Sequence, residues 1–197
     1  MLKNLIVSKV RIKILQVFFD QPGQIYYVRE LVRMTGEEIN AVRRELLNLE
    51  KTGLLRKEPR GNRLYYDLNK QHVLYGDLLS MIHKTVGIGK ELVKKKAKLG
   101  KINLAMLSGR FVRRLETLKG GVDLLIIGEA DLTKLGQLVQ EEEKRLKREI
   151  NYTAMTKNEF NFRKKRRDPF LSGILLGSRV MIIGDEEDLV AKYAEES

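Results

Sequence analysis

The chain has 197 residues, no cysteine and two histidines, which excludes disulfides, thiolate zinc sites and cysteine nucleophiles and leaves too little imidazole for a His-rich metal centre. Its 38 Lys and Arg against 26 Asp and Glu give a formal charge of +12, suited to a polyanionic partner such as DNA, RNA or an anionic membrane surface, or simply to a soluble basic protein. Hydrophobic residues make up 43 %, enough for real cores, and no apolar run approaches the ~20 residues of a membrane span.

Leu5, Ile6, Val10, Ile14, Val17 and Phe18 recur at helical spacing and predict a first helix that stops at Asp20-Gln21-Pro22-Gly23. Lys or Arg interrupts this N-terminal stretch every few residues, unlike a signal-peptide core, so a cytoplasmic protein is expected. Ile25 to Val28 is a short β-branched and aromatic stretch. RELVRMTG predicts a second helix ending at Gly36, and EEINAVRRELLNLEKTG a third ending at Gly53. LLRKEPRGNRLYYDL then holds two strand-like segments around Pro59-Arg60-Gly61-Asn62, which has hairpin-turn chemistry. From Gln71 to Ile82 a helical pattern returns, with Val73, Leu74, Leu78, Leu79 and Ile82 on its apolar face.

TVGIGKELVKKKAKLGK has the three glycines and the lysine cluster of a junction. Beyond it, INLAML, GVDLLIIGE, INYTAMT and SRVMIIG are strand candidates. FVRRLETL is short and helical or looped, and DLTKLGQLVQEEEKRLKRE is a helix with Glu141 to Glu143 placed for i,i+4 pairing with Lys and Arg on a surface face. KNEFNFRKKRRDPFLSGILLG reads as one or two helices and DEEDLVAKYAEES as a last one. Alternating strands and helices imply an α/β layer. The fold class expected is α+β: a DNA-binding domain over residues 1–85, a linker or helix over 86–100, and a small α/β domain with a mixed sheet over 101–197.

Met34-Thr35-Gly36 is the short glycine-containing turn that a helix-turn-helix needs. On the third helix Ile39, Val42, Leu46 and Leu49 share one face, while Asn40, Ala41, Arg43 and Arg44 fall largely on the other, near the helix start. Asn reads adenine and Arg reads guanine bidentately in the major groove. The hairpin adds Arg56, Lys57, Arg60, Asn62 and Arg63 for phosphate or minor-groove contact. Tyr26, Tyr27 and Arg29 are placed to touch backbone phosphates, whereas Glu37 and Glu38 weigh against DNA. For Arg43 and Arg44 a solvated helix face stands beside base contact as a reading. The phrase YVRELVRMTGEEINAVRRELLNLEKTGLLRKEPRGNRLYY resembles the ArsR-like and MarR-like winged-helix regulators. That resemblance implies a winged helix-turn-helix, a fold that also serves as a protein-interaction module. It also implies a homodimer through first and last helices, whose apolar faces would equally pack on the second domain.

LAMLSGRFVRRLETLKGGVDLLIIGEADLTKLGQLV resembles the polymerase-beta-like and minimal nucleotidyltransferases. That family implies a Gly-Ser at a strand end holding nucleotide phosphates, an Asp-x-Asp for two Mg²⁺ ions and a third carboxylate on a later strand. Here Gly-Ser falls on Gly109-Arg110, Asp-x-Asp on Gly121-Val122-Asp123, and INYTAMT has no carboxylate. One carboxylate, with Asn151 and Thr153 nearby, is a poor set for two divalent cations. The expectation is a degenerate nucleotide site at Gly109, Arg110 and Asp123, with Asp123 serving only the strand end or a local hydrogen bond, and Arg110 filling the old pocket or exposed on the surface, anion binding being its alternative. No catalysis, cofactor or metal is expected. Arg163 to Arg167 is the densest basic run, a solvated helix face or a further set of phosphate contacts. The combined expectation is a dimeric, sequence-specific double-stranded DNA-binding transcriptional regulator. The alternative is a metal-dependent nucleotidyltransferase or a nucleotide sensor tethered to DNA by the winged helix.

Overall fold

A computed structural model describes residues 7–190. The protein is α+β and divides into two units, Met1–Val86 and Gly87–Ser197.

In the first unit α1 (Lys9–Asp20) begins at Ser8, whose hydroxyl accepts from the Arg11 backbone N–H at 3.1 Å. Leu5 and Ile6, expected on its apolar face, lie outside the described residues. Val10 and Val17 are half-buried, and Ile12, Ile14, Leu15, Phe18 and Phe19 are buried. α1 packs on α2 (Val28–Thr35), α3 (Ile39–Lys51) and α4 (Tyr75–His83). Gly36 ends α2 in the left-handed region (φ 65°), where its N–H donates to Val32 O at 2.9 Å, and this sets the tight turn into α3.

The strands β1 (Ile25–Tyr27), β2 (Leu55–Arg60) and β3 (Arg63–Leu68) form an antiparallel sheet in the order β1-β3-β2. The hairpin turn is tighter than expected. Pro59 and Arg60 belong to β2, and the loop is Gly61-Asn62 alone, with Gly61 at φ 55°. A glycine first in a two-residue loop supplies the positive φ that lets the strands close with their natural twist. Two expectations fail here. α4 starts at Tyr75, so Val73 and Leu74 precede it and are exposed. Tyr26, expected at a phosphate, is buried edge-to-face against Phe18 with ring centroids 5.3 Å apart. Strand alternation sends Tyr26 inward and leaves Tyr27 on the other face.

The second unit opens with α5 (Gly87–Lys95), in the stretch where a linker or helix was expected. Its Ile88 and Leu92 are buried, and it packs on α7 (Leu132–Leu146). A four-stranded mixed sheet follows, ordered β6-β5-β4-β7, from β4 (Gly100–Ser108), β5 (Leu124–Ala130), β6 (Tyr152–Met155) and β7 (Arg179–Ile183). β4 runs antiparallel to both neighbours, while β5 and β6 are parallel and therefore joined by the crossover helix α7. Leu104, Met106, Leu125 and Ile127 pack with Phe160 of α8 (Lys157–Lys165), Leu171 of α9 (Pro169–Leu176) and Leu189 of α10 (Glu186–Val190). The alternate residues Ala105, Leu107, Leu124 and Ile126 are buried too, so both faces of the sheet are covered. The short helix α6 (Gly109–Val112) leaves the end of β4.

The glutamates of α7 also depart from the surface i,i+4 expectation. Glu142 is buried and holds Arg145 through two 2.8 Å hydrogen bonds at i,i+3, and Glu143 accepts from the Ile150 backbone N–H at 2.8 Å. No helix of the described residues is long and apolar enough to cross a membrane.

Glu45 sits on the buried side of α3 and accepts from Arg11 Nε at 2.8 Å, tying α3 to α1. Burial pushes its carboxyl up. Hydrogen bonds from Ser8 and Arg11, and the Arg11 charge, outweigh that and hold it below its usual 4.5. A depressed carboxyl stabilises the fold above its unfolded pKa and loses that contribution as pH falls through the folded value. Glu45→Gln is therefore expected to cost about 1 kcal/mol at pH 7, the modest figure reflecting the partly exposed Arg11. Urea titrations at pH 7 and pH 3 should show that difference shrinking towards zero in acid.

Candidate nucleic-acid interface

α3 has two chemically distinct sides. Val42, Leu46 and Leu49 are buried with Glu45, and Asn40, Arg43, Arg44 and Leu47 are exposed at i, i+3, i+4, i+7. Leu47 continues the exposed face and was not singled out from the sequence, because a leucine reads as core. The helix start is fixed by Glu38, whose carboxylate accepts from the backbone N–H groups of Asn40 (2.7 Å) and Ala41 (3.0 Å). Glu37 is engaged by Lys13 at 2.6 Å. Both acids that weighed against an anionic partner thus have structural work beside the exposed face.

A cleft of about 500 Å³ opens between the start of α2, the outer side of α3 and the hairpin. Arg29, Arg43, Asn62 and Arg63 line it with Tyr27 and Leu47, and no acidic residue does. Residues from Tyr27 to Tyr66 therefore converge on one concave surface carrying three guanidinium groups. With no carboxylate to offset them, their fields add and the cleft attracts anions.

The outer face of the sheet holds the hairpin arginines by their aromatic neighbours. β1 pairs with β3 so that Tyr27 lies opposite Tyr65, with ring centroids 5.7 Å apart. The Arg63 guanidinium stacks 4.8 Å from the Tyr27 ring centre and that of Arg60 5.3 Å from Tyr65. Such cation–π stacking restricts a long side chain that would otherwise sample many rotamers. Tyr65 was missed from the sequence, since only the β1–β3 register reveals that it faces Tyr27.

Three predicted contacts are already engaged within the protein. Arg56 is ion-paired with Asp67 across the strand pair, Lys57 holds Glu50 at 2.8 Å, and Arg60 holds Glu58 at 2.8 Å. Arg56 borders a separate cleft with Pro22 and Lys70, away from Arg43 and Arg63. Of the residues expected to meet DNA, Tyr27, Arg29, Arg43, Asn62 and Arg63 line the main cleft, Asn40 and Arg44 are exposed on the same side of α3, Tyr26 is buried, and Arg56, Lys57 and Arg60 carry their own counter-ions.

In the second unit the expected nucleotide site is differently occupied. Asp123 is buried and accepts from Thr117 Oγ1 at 2.6 Å, from the Asn151 backbone N–H at 3.1 Å and from Arg148 Nη2 at 3.4 Å. Arg148 also donates to Leu115 O and Thr117 Oγ1, both at 3.2 Å, and stacks 5.2 Å from the Phe111 ring. The carboxylate thus anchors the loop between α6 and β5. The Gly109 N–H donates to Ser178 O at 2.6 Å, and Ser108 Oγ accepts from the Phe111 N–H at 3.1 Å, so these two backbone donors are taken up internally. Arg110 is exposed rather than filling the site, with its Nε donating to Glu116 O at 2.8 Å.

Comparison of the chain with protein-family models, with curated proteins and with solved structures found no match.

Removing Arg148 would strand a buried carboxylate, which costs more than the pair contributes. Arg148→Ala is expected to destabilise the second unit by about 3 kcal/mol. The double variant Asp123→Asn/Arg148→Met should recover part of that loss in urea denaturation. A single-variant loss under about 0.5 kcal/mol, the level of an ordinary surface change, would show that Asp123 is not held this way.

Proposed function

We propose that residues 7–86 are a winged helix-turn-helix that binds double-stranded DNA, and that the protein is a homodimeric, cytoplasmic transcriptional regulator. The observation that carries this is the acid-free cleft between α3 and the hairpin, where Arg29, Arg43, Asn62 and Arg63 converge. In this reading α3 enters the major groove with Asn40, Arg43 and Arg44 at base edges, and the hairpin is the wing. Asn40 and Arg43 have the donor and acceptor geometry to read adenine and guanine, while Arg63, braced on Tyr27, contacts phosphate or the minor groove. Arg56 and Arg60 contribute less, because each must first leave a carboxylate.

The second unit, in the same proposal, has a nucleotidyltransferase-like fold that does not catalyse. The engagement of Asp123 by Thr117, Asn151 and Arg148 supports this. A metal ion recruited to that carboxylate would have to displace a guanidinium and break the anchor of the loop.

The test is selection of duplexes from a random pool by the full chain, followed by sequencing. Enrichment of a defined motif is expected, and recovery of the input distribution would sink the regulator reading. On the enriched site Arg43→Ala should cost about 1–3 kcal/mol and relax the preference at one position. Arg63→Ala should weaken all duplexes alike and reduce the slope of log K against log salt by about 1.

A further inference from the structure

The second unit contains a cleft of about 320 Å³ between the end of β4, the loop preceding β5 and the face of α9. Its walls are mainly apolar, with Met106, Val122, Phe170 and Ile174, and two cations, Arg110 and Lys119, also line it. No Asp or Glu does. Glu116 of the same loop gives its backbone carbonyl to Arg110, and Asp123 is turned inward onto Thr117, Asn151 and Arg148, so neither residue lines the cleft. Space is left open by the chain itself. A Cβ at Gly173, on the α9 side, would meet no atom within 4 Å, and the same is true of Gly120 on the loop. Phe170 is 38 % exposed although α9 has a core it packs against through Leu171.

We propose that this cleft is a binding site for a small amphipathic carboxylate, with an aromatic or branched apolar body between Phe170 and Val122 and its charge on Arg110 and Lys119. The chemistry selects the class. A volume at the low end of the range for ligand sites admits about ten heavy atoms and not a dinucleotide. Two cations neutralise one or two negative charges, and the apolar walls gain from burying a ring or branched chain while offering a polyphosphate nothing to replace its water. The Arg110 Nε bond to Glu116 O holds the guanidinium at the cleft rim, with its terminal nitrogens left as a fork that matches a carboxylate. The site stands independently of DNA binding, since every residue in it belongs to the second unit.

Calorimetry and thermal unfolding of the full chain with 3-phenylpropionate and 4-methylpentanoate test it, with 3-phenylpropionamide, inorganic phosphate and Mg·ATP as controls. The carboxylates are expected to bind with millimolar or tighter affinity and to raise the unfolding temperature, and the neutral amide to bind at least about tenfold more weakly, the size of a lost charge-assisted hydrogen bond. Arg110→Ala/Lys119→Ala should weaken the carboxylates by at least about tenfold and bring acid and amide together. Gly173→Leu, which fills the cleft from a helical position with room for it, should abolish binding of acid and amide alike while the protein stays folded. The proposal is overturned if no carboxylate gives heat or stabilisation, if Gly173→Leu binds as the parent does, or if phosphate or Mg·ATP binds more tightly than either carboxylate. The duplex selection reads the first unit alone, so either result is interpretable without the other.

Discussion

Three carboxylates are buried among the described residues, Glu45, Asp123 and Glu142, and each is held by an arginine: Arg11, Arg148 and Arg145. An unpaired carboxylate in a protein interior costs several kcal/mol, so these partners are obligatory wherever the chain buries an acid. Two of the pairs tie one segment to another, and the third acts within a helix. Glu45 joins α3 to α1, Asp123 joins the loop before β5 to the chain after α7, and Glu142 orders the end of α7 beside Gly87. In a chain with an excess of twelve positive charges, two clefts are lined by cations and by no acid.

That distribution shapes both clefts. Around α3, Glu38 caps the helix and Glu37 holds Lys13, so the acids nearest the exposed face do not turn into the cleft of Arg29, Arg43 and Arg63. The aromatic pair Tyr27–Tyr65 then supplies rigidity that a flexible arginine lacks, since a guanidinium laid on a ring has lost its entropy before any partner arrives. In the second unit Asp123 turns inward, and Arg110 and Lys119 line a cleft whose walls include no acid. Acids held by local partners thereby leave two anion-attracting concavities of different character. The first is broad and rich in guanidinium groups, and the second is narrow and walled by apolar side chains.

The apolar layers are what hold these polar features in register. In the first unit Phe18, Phe19, Leu31 and Leu46 are fully buried and lock three helices around α1. In the second, a sheet covered on both faces presents β4 and β5 side by side, so that Ser108 at the end of one and Asp123 at the start of the other share a backbone hydrogen bond of 2.8 Å. The geometry of each cleft is as precise as that packing allows.

Local pattern determined much of this protein. Helical spacing of apolar residues marked α1 to α4, the glycines at 36 and 61 marked the two turns, and the i, i+3, i+4 placement of Asn40, Arg43 and Arg44 put them together outside the core. These follow from periods of 3.6 and 2, which act within a few residues. Tertiary structure decided the rest. The inward turn of Tyr26, the stacking of Arg63 on Tyr27, the loss of Arg56 and Arg60 to carboxylates and the exposure of Val73 and Leu74 all depend on strand register or on where a helix actually starts. Asp123 is the clearest case. Its place in a decayed metal-pair pattern suggested only a strand-end or local hydrogen-bond role, and its distant partner Arg148, 25 residues away, is brought beside it by the β5–α7–β6 crossover. A carboxylate's chemistry belongs to its neighbours, and neighbours that distant are chosen by packing, not by spacing along the chain.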